Sequence, residues 1–225
     1  MLGIPLGLLT VNAIEWYAHK HLLHGKGRDR RSRWASHWDH HKVVRQQGFA
    51  DDMYSPSLRH TFDHERARME AQSLIRAAVV VTPLVVVAPL YMATLYYGAI
   101  NYWYTHRRAH LDPQWARRKV PWHYDHHMNS NQNANWCVTK PWFDYIMGTR
   151  VISSPMLQES NPLGVKLPGW METPLNRLAR RLAPRAFEKL DAMAAEERRN
   201  RIAGKQGFVP EFAQDQPATQ AKRSA

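Results

Sequence analysis

Ten histidines of this chain fall into four groups, and the spacing of the groups repeats. A histidine pair is followed 13 residues later by an HxxHH triplet, and a second pair is followed by a second triplet after the same 13 residues. Both triplets have the form histidine, aromatic, aspartate, histidine, histidine, written "HWDHH" and "HYDHH". The chain therefore contains one arrangement twice. Its members are His19 and His24, then His37, His40 and His41, then His106 and His110, and finally His123, His126 and His127.

This spacing is typical of a metal site. Helix positions i, i+3 and i+4 share one face, so each triplet is predicted to present three imidazoles to a single point. His106 and His110 share a face for the same reason. His19 and His24 are about 140° apart on an ideal helix, which predicts a helix end or a distorted turn between them. Neutral imidazoles can surround a cation without mutual repulsion, and they suit iron, zinc, copper and nickel.

Five histidines in each half exceed the four ligands of a tetrahedral zinc ion. They predict two metal ions between the halves, with one position open for a small ligand. Asp39 and Asp125 precede the double histidines, and each is predicted to accept the spare N–H of a ligating imidazole. The alternative for both is a solvent-facing helix residue. Three further histidines lie off the pattern and are expected to be ordinary polar residues, with a ligand or a position at the entrance as the alternative, namely His21, His60 and His64.

The helices that carry these groups surround an apolar run. Residues 77–105 contain no charged side chain and are interrupted by Pro83 and Pro89. Because one triplet precedes the run and a histidine pair follows it, both ends must reach the same metal centre. The run is therefore predicted to enter a membrane and return as a hairpin that turns between Thr82 and Pro89. Its 29 residues fall short of the roughly 40 that two full spans need, so either its helices extend into flanking residues or the hairpin is shallow.

The remaining segments complete an all-α organisation. Residues 1–23 lack the features of a signal peptide and predict a retained helix, either a short span or the end of a longer one. The basic segments 26–33 and 117–119 are expected on the cytosolic side. Residues 173–204 predict an amphipathic helix, followed by a disordered tail of about twenty residues. We therefore expect a membrane domain over residues 1–150 and a basic helical extension over residues 151–225.

Composition also bears on other classes of protein. The formal net charge of +12 is compatible with an anionic membrane surface or with nucleic acid, but no zinc finger or aromatic RNP motif is present, which argues against nucleic acid. Cys137 is the single cysteine, so neither an intramolecular disulfide nor a thiolate zinc site can form. It is expected to be a buried thiol.

The order HxxxxH, HxxHH, HxxxH, HxxHH resembles the fatty acid hydroxylase superfamily, which includes sterol desaturases, sterol C4-methyl oxidases and fatty acid 2-hydroxylases. The stretch "VTKPWFDYIMGT" at residues 138–149 is similar to an ending of that family. The resemblance covers about residues 14–149. It implies an integral membrane helical protein with a short transmembrane or re-entrant hairpin and a cytosolic, histidine-rich cap. It also implies that the ten histidines hold two iron ions, which zinc can replace in a purified protein, with O₂ as co-substrate and a separate electron donor such as a cytochrome b5-like protein or a ferredoxin.

An alkyl C–H bond is inert to acids, bases and ordinary nucleophiles, so its chemistry has to come from the metals. The sequence therefore predicts an O₂-dependent hydroxylase of a membrane lipid, with fatty acyl chains favoured and a sterol or another isoprenoid next. Three alternatives remain open, namely a lipid desaturase that uses the same centre, a non-catalytic metal-binding membrane protein and, least favoured because no nucleic-acid motif is present, a basic nucleic-acid-binding protein. The substrate, the carbon attacked, the electron donor and the oligomeric state are also left open.

Overall fold

Every element in the part of the chain that the structure describes is helical, as the all-α prediction expected. The structure is a computed structural model that describes residues 2–129, 131–151 and 167–182, and scattered positions from there to residue 203. The helices are α1 (Gly3–Tyr17), a π-helical turn (Ala18–Gly25), a 3₁₀ turn (Lys26–Arg28), α2 (Ser36–Gln46), α3 (Leu58–Asp63), α4 (Glu65–Val81), a second 3₁₀ turn (Thr82–Val86), α5 (Pro89–Leu111), α6 (Pro113–Lys119), α7 (Pro121–Met128), α8 (Trp142–Ile146) and α9 (Gly169–Leu182).

Helices α4 and α5 form the hairpin that the apolar run predicts. The 3₁₀ turn Thr82–Val86 separates them, and α5 begins with Pro89, where a missing N–H costs no helix hydrogen bond. Near the turn, Thr82 Oγ1 lies 2.9 Å from the hydroxyl of Tyr96. At the far end, Glu70 contacts His106 at 2.7 Å, so the two helices are antiparallel. Helix α4 begins before residue 77 and α5 ends after residue 105, so both extend into the residues that flank the apolar run.

Helix α1 packs beside α5 at very short range. Gly7 faces the Thr94 side chain and Gly98 faces the Val11 side chain, so contacts advance along both helices in the same direction. The helices are therefore parallel. A Cβ atom on Gly98 would lie only 2.3 Å from Val11 Cγ2, which explains why this position has no side chain. The parallel arrangement brings the histidine pairs that follow α1 and end α5 to the same end of the molecule.

A helical cap of α2, α6 and α7 covers that end. Its apolar core contains Val44, Phe49 and Trp122. A buried polar network ties the segment before and within α8 to α1. Glu15 accepts hydrogen bonds from the backbone of residues 138 and 139, and Asp144 accepts hydrogen bonds from the backbone of residues 136 and 137. Cys137, in this segment, is buried as expected.

Apolar side chains on α1, α4 and α5 are exposed. Ile75 and Val80 on α4 are 61% and 77% exposed, and Ile100 on α5 is 68% exposed. One helical stretch, Glu65–Val86, is long and apolar enough to span a membrane, judged over the described residues.

The C-terminal predictions are tested only in part. Helix α9 begins at Gly169, four residues earlier than the predicted start at residue 173, and contains Pro174. The predicted continuation of that helix lies largely outside the described residues, and so does the predicted disordered tail. Arg150 and Val151, at the expected domain boundary, are both buried.

Candidate metal centre

The structure brings the ten histidines of the four groups together in two clusters. For nine of the ten, the nitrogen atoms that could bind a metal lie within 4.8 Å of one another in each cluster. The first cluster consists of His19, His24, His37, His41 and His126. The second cluster consists of His40, His106, His110 and His127, and we include His123, whose Nε2 lies 3.2 Å from that of His110. The off-pattern residues His21, His60 and His64 lie outside both clusters.

The prediction that each triplet converges on one point is wrong. In α2, His41 belongs to the first cluster and His40 to the second. In α7, His126 belongs to the first cluster and His127 to the second. Adjacent residues project about 100° apart around a helix, so neighbouring histidines point toward different centres. Each half of the chain therefore supplies four histidines to its own cluster and one to the other.

The two halves are related by a near-constant offset in residue number. His24 precedes its counterpart His110 by 86 positions, and the same offset relates each member of the first triplet to its counterpart in the second. His19 precedes His106 by 87 positions. The π-helical turn Ala18–Gly25 accounts for the difference, because it accommodates one extra residue between the first pair. This is the distorted turn that the five-residue spacing predicts, and it brings the two rings to 5.1 Å.

Backbone carbonyls fix the orientation of three ligand rings. Nδ1 of His19 lies 2.6 Å from the carbonyl of Trp136, Nδ1 of His126 lies 2.7 Å from that of Ala134, and Nδ1 of His110 lies 2.8 Å from that of Phe49. A carbonyl can only accept a hydrogen bond, so each Nδ1 donates. A neutral ring in this tautomer presents a lone pair at Nε2.

Carboxylates orient two rings of the second cluster. Nδ1 of His40 lies 2.5 Å from Asp51, and Nδ1 of His106 lies 2.7 Å from Glu70. Arg66 donates to both oxygens of Asp51 at 3.1 Å, and the hydroxyl of Tyr54 donates to Glu70 at 2.6 Å. Sequence reasoning missed these residues because neither carboxylate stands at a fixed spacing from the histidine that it contacts.

The predicted carboxylates occupy different positions. Asp39 is about half exposed and forms an ion pair with Arg30 at 3.4 Å, so Asp51 fills the role that was predicted for it. The cause is again helical geometry, because the residue next to a ligand projects away from it. Asp125 is fully buried and forms an ion pair with Arg150 at 3.0 Å.

The separations between ligand nitrogens fit a central cation. Neighbouring Nε2 atoms are 3.0 to 3.2 Å apart. Nitrogens about 2.1 Å from one ion are about 3.0 Å apart when their bonds meet at right angles and about 3.4 Å apart in a tetrahedron. The observed values are therefore compatible with nitrogen ligands around one ion. Nε2 of His40 and of His127 is buried without a hydrogen-bond partner within the described residues, which also fits a ligand atom that faces an ion.

Burial favours the neutral form of several of these imidazoles. Desolvation lowers the pKa of His126 to about 4. The pKa values of His41 and His127 are lowered well below the ordinary value, mainly by desolvation and secondarily by neighbouring imidazoles. A neutral imidazole is the form that binds a metal. The two clusters are therefore compatible with a metal site in each.

A largely apolar cavity of about 390 Å³ reaches both clusters. His19 and His37 of the first cluster line it, together with His40 and His106 of the second. Its apolar walls come from α1, α4 and α5 and include Val11, Ile14, Leu74, Ala77, Val81 and Leu95.

Comparison with known proteins finds no similarity to report, since no family model, no curated protein and no solved structure matches this chain.

Proposed function

We propose that this chain is an O₂-dependent hydroxylase that acts on an alkyl C–H bond of a membrane lipid at a histidine-bound di-iron centre. The observation that carries the proposal is the cavity between α1, α4 and α5, because its apolar walls lead to ligands of both histidine clusters. A metal store would need no such cavity. The four-group resemblance to the fatty acid hydroxylase superfamily agrees with this proposal.

The substrate is expected to be apolar and elongated. A volume of about 390 Å³ lies within the roughly 300–1,000 Å³ of typical small-molecule sites. A fatty acyl chain is the first candidate, and a sterol or another isoprenoid is the second. The exposed apolar residues on α1, α4 and α5 support an integral membrane position, from which a lipid could enter the cavity without crossing water.

The protein's own residues have three tasks in this reaction. The ten histidines hold the metals, and hydrogen bonds at Nδ1 keep five of the rings in the tautomer that presents Nε2. The apolar walls position the alkyl chain and exclude water. When bound, two iron ions would supply the activation of O₂ that breaking an inert C–H bond requires. Electrons would come from a separate donor such as a cytochrome b5-like protein or a ferredoxin.

Lipid mass spectrometry of cells that express the wild type, His40→Ala or His60→Ala tests the function. The wild type should add one oxygen atom to a cellular lipid. His40→Ala should abolish this product, since His40 is a buried ligand, and His60→Ala should retain most of it, since His60 is exposed and outside both clusters. The purified wild type should contain two metal ions per chain.

Other outcomes separate the alternatives. A lipid that loses two hydrogen atoms and gains no oxygen would identify a desaturase with the same centre. Two bound metals without any lipid product would favour a non-catalytic metal-binding protein. Equal loss of product in both variants would contradict the division of the histidines into ligands and bystanders.

A further inference from the structure

The repeat in the chain allows the two clusters to be compared ligand by ligand. His106 in the second cluster is the counterpart of His19 in the first, and His40 in the second is the counterpart of His126 in the first. Nδ1 of both second-cluster rings meets a carboxylate, at 2.7 and 2.5 Å. Nδ1 of both first-cluster rings meets a backbone carbonyl, at 2.6 and 2.7 Å. The hydrogen-bond geometry is therefore similar, whereas the charge of the acceptor differs.

Of the two carboxylates beside the second cluster, Glu70 contributes more unbalanced negative charge than Asp51. Arg66 donates to both oxygens of Asp51 and so balances its charge. Glu70 receives its hydrogen bonds from the neutral hydroxyl of Tyr54 and from His106, and its side chain is only 16% exposed. A poorly solvated carboxylate acts on a nearby cation with little screening.

We infer that the two metal sites are unequal, and that the second cluster binds its ion more tightly because Glu70, assisted by Asp51, strengthens its imidazole ligands. A carboxylate that accepts the N–H of a metal-bound histidine makes the ring a stronger donor, and loss of such a partner typically costs 10- to 100-fold in metal affinity. Glu70 is thus a positioning residue that acts through His106. This inference rests on the two-metal centre of the proposed function.

Competition with a chelator tests the inference. The full chain is loaded with Zn²⁺ in detergent micelles and dialysed against increasing concentrations of a chelator, and protein-bound zinc is measured at each step. The wild type should lose its zinc in two steps of one ion each. His19→Ala should lack the ion that leaves first, and His106→Ala, its counterpart in the repeat, should lack the ion that leaves last.

Glu70→Gln separates charge from structure. The amide oxygen of the glutamine can still accept from Nδ1 of His106, so the ring keeps its orientation and only the charge is lost. The tightly held ion should become 10- to 100-fold weaker, and the other ion should be unchanged. Asp39→Asn is the matched control, because it removes the same charge next to His40 from a half-exposed residue paired with Arg30. It should leave both steps unchanged.

Release of both ions in one step would overturn the inference. It would also be overturned if Glu70→Gln left the affinity for the more tightly held ion unchanged, or if His19→Ala lost that ion. The lipid-product assay tests the proposed function separately. A hydroxylase with two equal metal sites would contradict this inference and leave the proposed function standing. Should Glu70→Gln fail to fold, as judged by its helix content, Asp51→Asn provides the second variant and should weaken the same ion.

Discussion

Five of the ten clustered imidazoles are oriented by a hydrogen bond at Nδ1, the ring nitrogen that leaves Nε2 free to bind a metal. Backbone carbonyls hold His19, His110 and His126, and carboxylates hold His40 and His106. The side-chain entropy of these rings is therefore lost during folding and does not have to be lost again on metal binding. These five rings are held in place by the fold, and burial keeps His126 among them neutral.

The buried histidines should make the metal-free protein sensitive to acid. The pKa of His126 is lowered to about 4 by burial, and those of His41 and His127 are also lowered. Between these values and the ordinary value of about 6.5, the unfolded chain binds more protons than the folded one. The free energy of unfolding should be fully present above about pH 6.5 and fall as the pH falls below it, by up to about 1.4 kcal/mol per pH unit for each such histidine.

Denaturant titrations of the metal-free protein across this range measure the effect. His60→Ala serves as the control, because His60 is exposed and should leave the slope unchanged. A free energy of unfolding that is constant from about pH 7 to about pH 5 would show that the cluster is not neutral and buried in solution.

At the scale of elements, the parallel contact between α1 and α5 positions the first histidine pair. The contact depends on glycine, since Gly7 meets Thr94 and Gly98 meets Val11 with no room for a side chain. The pair His19 and His24 follows α1 directly. A shift of α1 would therefore move these two ligands away from the ligands that α2 and α7 supply.

Gly98→Ala should destabilise the protein and weaken the first metal site in particular. Alanine favours a helix by roughly 1 kcal/mol over glycine, but its Cβ would lie 2.3 Å from Val11 Cγ2. Overpacking of this kind costs roughly 1–3 kcal/mol, so the clash should outweigh the gain in helix propensity. Denaturant unfolding and zinc content of the purified protein measure the two effects.

Gly169→Ala is the matched control for that substitution. It makes the same change at the start of α9, where a Cβ meets no atom within 4 Å, and it should leave stability and zinc content as they are. Full zinc content in Gly98→Ala would mean that α1 does not set the position of the first pair.

At the scale of the whole molecule, the helices place the apolar hairpin and the histidine cap at opposite ends. The turn after α4 carries Val86, which at 84% is the most exposed large apolar residue of the described chain, whereas the other end of α4 and α5 contacts the histidine clusters. A membrane around the hairpin would cover this apolar surface, which water would otherwise have to solvate. Both basic segments would then lie on one side of the membrane.

Cysteine labelling in sealed vesicles tests that topology. Cys137 is buried, which raises the pKa of its thiol well above the ordinary value, so the wild type should remain unlabelled. A membrane-impermeant reagent should label Arg31→Cys and Arg118→Cys from the same side, since both positions are exposed. Val86→Cys should react only after detergent is added. Labelling of residues 31 and 118 from opposite sides would rule out the arrangement. Reaction of residue 86 in intact vesicles would show that the hairpin does not lie in the membrane.

The sequence by itself determined the features that depend on local spacing. The four histidine groups, the repeat of pair and triplet, the distorted turn between His19 and His24, and the break between Thr82 and Pro89 are all visible in residue order. These features are predictable because helical periodicity and the missing N–H of proline act over a few residues. The same local reasoning assigned each triplet to one centre and chose Asp39, and on both points it was wrong.

Only the tertiary structure decided which imidazoles share a centre and which groups orient them. His40 joins the cluster of the other half. Asp51, from a loop, contacts His40, and Glu70, from α4, contacts His106. Helix α1 lies parallel to α5 through contacts between glycines and side chains 87 positions away. Helical periodicity defines the direction of a side chain relative to its own helix. The partner that it meets in space depends on how the helices pack, and that is set by long-range contacts that no local spacing records.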